Sequence, residues 1–225
     1  FRHMKNMLRL NGITSADGIL ADLGISSYQI DTAERGFAHR LQGPLDMRMN
    51  KSLQHNAEDI LNSYDHQQLQ HMFGEYGQVR NARTLANTIS AARNRQEIET
   101  IEDFIKVITP VIKGNHNKYL SQVFQALRIE VNDELNALKE FLEQAKEILE
   151  TGGRLVVISY HSLEDRIIKN FIRHGNTMAT PDKDPFGGVK KHFKAINKKP
   201  IIPGEDEIKK NNRAHSARMR IAEKV

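Results

Sequence analysis

Two short stretches hold residues that could do chemistry where a strand ends. The first is Asp22-Leu23-Gly24-Ile25-Ser26-Ser27, which follows the apolar run at residues 19–21. A carboxylate there can accept hydrogen bonds from a bound group, a glycine lets the backbone approach it, and the serines can donate to it. The second is Tyr160-His161-Ser162-Leu163-Glu164-Asp165, after the apolar run at 154–159. His161 could act there as a general base. His161, Glu164 and Asp165 could alternatively ligate a metal. Ser162 with Asp165, however, fits a capping box for a following helix, which accounts for two of these positions without an ion. A third set is basic. Lys190, Lys191, Lys194, Lys198 and Lys199 gather around residues 193–196, and Arg213 and Arg218 follow. Guanidinium and ammonium groups in such numbers are phosphate-contact candidates.

The elements that must position these residues can be read from periodicity. The runs at 18–22 and 154–159 are apolar on both faces and end in tight loops, which predicts buried strands of a parallel sheet. Ligands of open α/β sheets sit beyond the carboxyl ends of the strands, so residues 22–29 together with Tyr160 and His161 are expected at that rim. A long helical stretch carries Leu120, Val123, Phe124, Leu127, Val131, Leu135, Leu138, Leu142 and Leu149 on one stripe and stops at Gly152-Gly153. Helix, glycine pair and apolar strand form the α-to-β step of a parallel α/β fold. Residues 1–11 read as an amphipathic helix with Met4, Met7 and Leu8 on one face. Residues 218–222 alternate and predict a last strand, antiparallel to one near Ala195. Two parallel strands do not make a stable sheet, so strands ahead of Phe1 are expected to belong to the fold.

Residues 56–112 are helical in pattern throughout. Asp65 with Gln68, and Thr100 with Asp103, read as capping boxes. Leu69, Met72, Phe73, Leu85, Ile89, Phe104 and Ile108 form core stripes, and Pro110 is expected to bend its helix. Residues 31–49 are a long mixed loop. Such loops tend to be functional, and a surface loop pinned by Phe37 and Leu45 is the plainer alternative. Residues 177–188, rich in Pro and Gly, read as a flexible loop.

The chain has 225 residues, 39% hydrophobic and 27% charged, with no cysteine, which excludes disulfides and Cys-based zinc sites. Net charge is +5. From Arg166 onward there are 15 Lys and Arg against 6 Asp and Glu, whereas the first 165 residues hold 18 against 22. A basic last third suits a polyanionic partner. No signal peptide or long apolar run is present, so a soluble, cytoplasmic protein without membrane association is expected.

Several segments, in order and at matching spacing, resemble one family. They are the Asp22-to-Ser27 stretch, Glu34-Arg35-Gly36-Phe37, Gly43-Pro44-Leu45-Asp46-Met47-Arg48-Met49, Phe124-Gln125-Ala126-Leu127-Arg128-Ile129, Val131-Asn132-Asp133-Glu134-Leu135, His161-Ser162-Leu163-Glu164-Asp165-Arg166 and Asn212-Arg213-Ala214 through Arg218. Together they are similar to the bacterial small-subunit ribosomal RNA (cytosine-N4) methyltransferase H family. The resemblance implies an α/β class I S-adenosylmethionine-dependent methyltransferase sheet, Rossmann-like, with an inserted all-helical domain. The methyltransferase domain would take residues 1–50 and 120–225, and residues 51–119 would form a helical insert for RNA recognition.

The implied activity is methylation of the N4 amino group of a cytidine in the decoding region of 16S ribosomal RNA, within the small ribosomal subunit. Phe1, Asp22 and Gln29 match the family's S-adenosylmethionine contacts, with Asp22 also the candidate catalytic residue. The family's Gly-rich cofactor loop is not found in this chain. Tyr28 stands where the family usually has Pro, and Tyr160 where it has Phe. Segment 114–121 lacks the usual basic, Gly-rich pattern. Cytosine N4 is a poor nucleophile, so the site must hold it in line with the methyl group and accept its N–H hydrogen bonds. Tyr28, Phe37 and Tyr160 are candidates to stack on the base, and Tyr160, His161, Lys190, Lys191, Arg213 and Arg218 to contact the RNA. Two other readings remain at this stage, a truncated non-catalytic RNA-binding module and a DNA cytosine-N4 methyltransferase.

Overall fold

A computed structural model describes residues 1–178, 180–181, 187–188 and 191–225. In chain order its elements are α1 (Met4–Leu10), β1 (Ala16–Asp22), α2 (Ser27–Asp31), α3 (Ala57–Ser63), α4 (His66–Glu75), α5 (Ala82–Arg93), α6 (Ile101–Ile108), α7 (His116–Asn132), α8 (Glu134–Ile148), β2 (Leu149–Ser159), α9 (Ser162–His174), β3 (Phe193–Ala195), α10 (Glu205–Lys210) and β4 (Arg218–Lys224). They form two compact units, one of residues 1–24 with 135–225 and one of residues 25–134.

The first unit is α/β. Its mixed sheet has the order β1-β2-β4-β3. β1 and β2 are parallel, with Leu20 opposite Val156 and Asp22 opposite Ile158. β4 is antiparallel to both neighbours, with Ser159 opposite Arg218 and Ala195 opposite Ala222. Phe141 and Leu142 of α8, Leu155 and Val157 of β2, and Ile168 and Phe171 of α9 close one core. Each such side chain contributes about 1.5–3 kcal/mol by leaving water. β1 departs from the sequence reading. Ile19 and Ala21 pack against this core, but Leu20 points the other way and is 70% exposed. The strand is covered on one face, and among the described residues it pairs with β2 alone. α1 also turns less of itself inward than expected. Met4 packs on the core while Met7 is exposed. The helix is held instead by polar contacts to α8, with Gln144 donating to the Arg2 carbonyl and Lys5 paired with Glu147.

The second unit is helical, with Leu61, Phe73, Leu85, Ile89, Phe104 and Leu127 fully buried. Asp65 and Gln68 cap α4 reciprocally. Thr100 accepts from the Asp103 amide at the start of α6. Pro110 does not bend that helix. α6 stops at Ile108, and Pro110 lies in the 3-10 turn that follows. The long stripe of leucines is likewise two helices, parted at Asp133, whose φ of 49° is left-handed. Residues 25–50 and 120–134, which the sequence reading joined to the sheet, pack into the helical unit. Leu45 and Met47 are fully buried there, and Asn132 of α7 donates to the Met47 carbonyl and accepts from the Met49 amide. The loop turns at Gly36, whose φ is 71° and where a Cβ would stand 2.5 Å from the Pro44 carbonyl oxygen. Of the flexible loop read at 177–188, residues 179 and 182–186 lie outside the described residues.

Candidate active site at the strand rim

β1 and β2 end side by side, and the ladder runs one residue further, with the Leu23 amide donating to the Ile158 carbonyl. Asp22 therefore sits at the rim as the last residue of β1, with its side chain exposed. The chain leaves the strand through Gly24 at φ 96°, a backbone angle that side chains other than glycine adopt at a cost. Tyr160 is the first residue beyond β2. Its hydroxyl donates to Asp22 Oδ1 at 2.9 Å. Partial burial, and then the hydrogen bond to Asp22, push the Tyr160 phenol up to about 12. At neutral pH the phenol is thus a fixed neutral donor, and Asp22 keeps its second oxygen for a ligand.

The start of α9 lies next to this pair, and the structure corrects the sequence reading of it. The N-cap is His161, not Ser162, and the reciprocating residue is Glu164. Glu164 Oε2 accepts from the Tyr160 amide at 2.9 Å, and His161 Nδ1 accepts from the Glu164 amide at 3.4 Å. The His161 side chain is 7% exposed. Nδ1 is thus engaged in the cap, and the ring is buried. The one-residue shift also releases Asp165. Both its oxygens are taken by Arg220, at 2.6 and 3.0 Å, and Arg218 Nη1 approaches to 3.6 Å. Neither Asp165 nor Arg220 is a metal ligand in this arrangement. Each is the buried counter-charge of the other, and together they join α9 to β4.

The remaining sequence candidates differ in exposure and in the unit that holds them. Phe1 is 60% exposed and rests edge-on against Phe141, with ring centroids 5.6 Å apart. Gln29 belongs to the helical unit. Its side-chain oxygen accepts from the Ser26 amide at 2.9 Å in a capping box for α2, so its amide nitrogen is the group open to a ligand. Tyr28 is 71% exposed. Phe37 is not available for stacking on a base. It is 8% exposed, part of the helical core, with the Arg35 guanidinium 5.8 Å above its ring. Lys191 and Arg213 are exposed. Lys190 lies outside the described residues. Glu164 was read only as a possible metal ligand, not as the cap partner it is, and Arg220, the partner of Asp165, was not singled out. The visible signal was a Glu three residues after a His at a strand end.

A mixed sheet with a carboxylate steadied at its carboxyl rim belongs to the class of α/β proteins whose ligands meet the strand ends, here those of β1 and β2. Sequence comparison narrows this. A family model described as "MraW methylase family" matches residues 1–225. The chain is 50% identical over 225 residues to a protein of Cytophaga hutchinsonii, covering all of this chain and 75% of that one. It is 51% identical to one from Flavobacterium psychrophilum, of which it covers 77%, and 50% identical to one from Bacteroides thetaiotaomicron, of which it covers 74%. All three are named ribosomal RNA small subunit methyltransferase H. The chain belongs to the MraW methylase family, which implies a class I methyltransferase fold. No helix among the described residues is long and apolar enough to cross a membrane.

Proposed function

We propose that this protein transfers a methyl group from S-adenosylmethionine to the N4 amino group of a cytidine in the decoding region of 16S ribosomal RNA. The observation that carries the reading is the exposed Asp22 carboxylate, fixed by the Tyr160 hydroxyl at the sheet rim. The donor set suits this cofactor. A carboxylate accepts from its ammonium or ribose hydroxyls, an amide nitrogen such as that of Gln29 donates to its carboxylate, and an exposed ring such as Phe1 offers apolar contact. When bound, the cofactor supplies an electrophilic methyl group on a positively charged sulfur.

The rest is work for the chain's own residues. Asp22 accepts an N4–H hydrogen bond through its second oxygen, turns the nitrogen lone pair toward the methyl group, and takes the proton that N4 loses on gaining that group. The carbonyls of the turn at 22–25 can accept the second N–H. Tyr28 or Tyr160 stacks on the base, and the helical unit contributes RNA recognition. The cytoplasm, where ribosomal subunits are assembled, is the fitting compartment.

The test uses the full-length protein, labelled S-adenosylmethionine and purified small subunits, with nucleoside analysis of the digested RNA. N4-methylcytidine is the expected product. Asp22→Ala should lower the rate about 100-fold or more, because misplacing the nucleophile forfeits that much. A different methylated nucleoside would refute the substrate atom. A wild-type rate in Asp22→Ala would refute the role given to Asp22.

A further inference from the structure

A concavity of about 620 Å³ opens beside β3, away from the rim. Lys169 and Arg173 of α9 stand on one side of it. Lys191, Lys194 and Lys198 stand on the other. All five side chains are exposed. Ile172 and Phe193 form an apolar floor and are nearly buried. Neighbouring cations are neutralised, Arg220 by Asp165 and Arg154 by Glu223. Among the described residues these five have no acidic partner. Five like charges around one hollow repel each other, and a folded protein gains nothing from that arrangement alone. Their field is instead suited to drawing in a polyanion.

We propose that this hollow is an auxiliary binding site for the phosphate backbone of the RNA substrate, several nucleotides from the base that is modified. The inference rests on the RNA-methylating function above. Strand register gives the separation. Asp22 is level with Ile158, which is level with Met219, and Phe193 is level with Lys224. Met219 to Lys224 is five strand residues, about 17 Å along the strands at about 3.3 Å each, and β1 to β3 is three strand spacings, about 14 Å across the sheet at about 4.8 Å each, which together make about 22 Å. A strand stacked at the spacing of one duplex strand, about 3.4 Å per nucleotide, and entering at the rim would place a phosphate about six or seven nucleotides away over the hollow. Arg218 at the rim end of β4, Lys198 next to Asn197 (whose side chain bonds Met219 and Ile221) and Lys194 opposite Glu223 would then track one backbone. The role is positional and carries no sequence information, because ammonium groups read charge and not base edges.

The experiment compares the full-length wild type with the combined variant Lys169→Gln, Lys194→Gln and Lys198→Gln, all at exposed positions. Binding to a 16S ribosomal RNA fragment is followed by fluorescence anisotropy between 50 and about 300 mM salt, and methyl transfer is measured in parallel. Three lost phosphate contacts should lower the slope of log K against log salt by about 2 to 3. KM should rise at least about tenfold, with kcat at saturating RNA unchanged. An unchanged slope and KM would overturn the site while leaving the methylation reading intact. Asp22→Ala separates the two from the other side, losing methylation while keeping the salt slope. Lysine acetylation footprinting of the wild type gives a readout independent of any variant. Protection of Lys191, Lys194 and Lys198 by naked RNA supports the site. Protection by whole subunits but not by naked RNA would assign the hollow to an acidic protein surface and overturn it.

Discussion

Replacing Asp165 with Ala should be among the most damaging single changes in the α/β unit. Asp165 and Arg220 have side chains only 12% and 9% exposed, and two hydrogen bonds of 2.6 and 3.0 Å join them. Removing one partner of a buried pair leaves an uncompensated charge and costs about 3–5 kcal/mol. Arg218, 3.6 Å from the same carboxylate and 45% exposed, would lose a partner as well but can turn to water, so the lower end, about 3 kcal/mol, is expected. For a chain of this size about 1 kcal/mol moves the melting temperature by about 2–4 °C, which gives a fall of about 6–12 °C. The transition is followed by circular dichroism and calorimetry in the full-length protein. The combined variant Asp165→Leu with Arg220→Met, which replaces the pair by apolar groups of similar size, should recover most of the loss. A loss below about 1 kcal/mol in Asp165→Ala, or strictly additive effects in the combined variant, would refute the assignment of this pair as mutual counter-charges.

Two further outcomes are expected. Gly36→Ala should cost more than about 2 kcal/mol in urea unfolding of the helical unit, because a left-handed φ costs about 1–2 kcal/mol and the new Cβ meets the Pro44 carbonyl. A change within 0.5 kcal/mol, on the order of a neutral surface substitution, would contradict it. The Tyr160 phenol should titrate near 12 when followed by NMR of its ring carbon, and Asp22→Asn should lower that value without restoring the ordinary one, since burial is the larger cause. The sign for stability follows from a raised folded value. The contribution is complete below the unfolded value near 10 and disappears as pH rises through about 12. Tyr160→Phe should abolish that loss, and an unchanged alkaline unfolding profile in this variant would count against it.

Much of the sheet was legible because its signals are local and strong. The apolar runs at 18–22 and 154–159 pair in parallel, and the alternation at 218–222 lies antiparallel to the strand at Ala195. Asp22 and Tyr160 were each placed at the rim, but nothing in the sequence says that one bonds the other across 138 positions. The cap of α9 was misread because serine is a far commoner N-cap than histidine. That error hid the Asp165–Arg220 pair, since a residue assigned to a cap is not sought as a counter-charge. The break between α7 and α8 escaped the leucine stripe because the hydrophobic phase survives it. The only sign was Asn132-Asp133, residue types that tolerate a left-handed backbone. Phe37 was read both as a pin of its loop and as a stacking group, because sequence does not say which way a ring turns, and packing selects the pin.

The two units are threaded differently, and this bears on the order in which the chain can fold. The helical unit is one continuous stretch, so its contacts are available as soon as residue 134 has been made. The α/β unit is split around it. β1 must wait for β2 across the whole helical unit, and β3 reaches the sheet only through β4, which is made after it. Until residue 220 emerges, Asp165 has no buried partner and α9 has no tie to β4. Long-range closure of this kind slows folding. During synthesis a finished helical unit should therefore accompany an incomplete sheet whose β2 edge remains open to chaperones and proteases until β4 slots in between its neighbours.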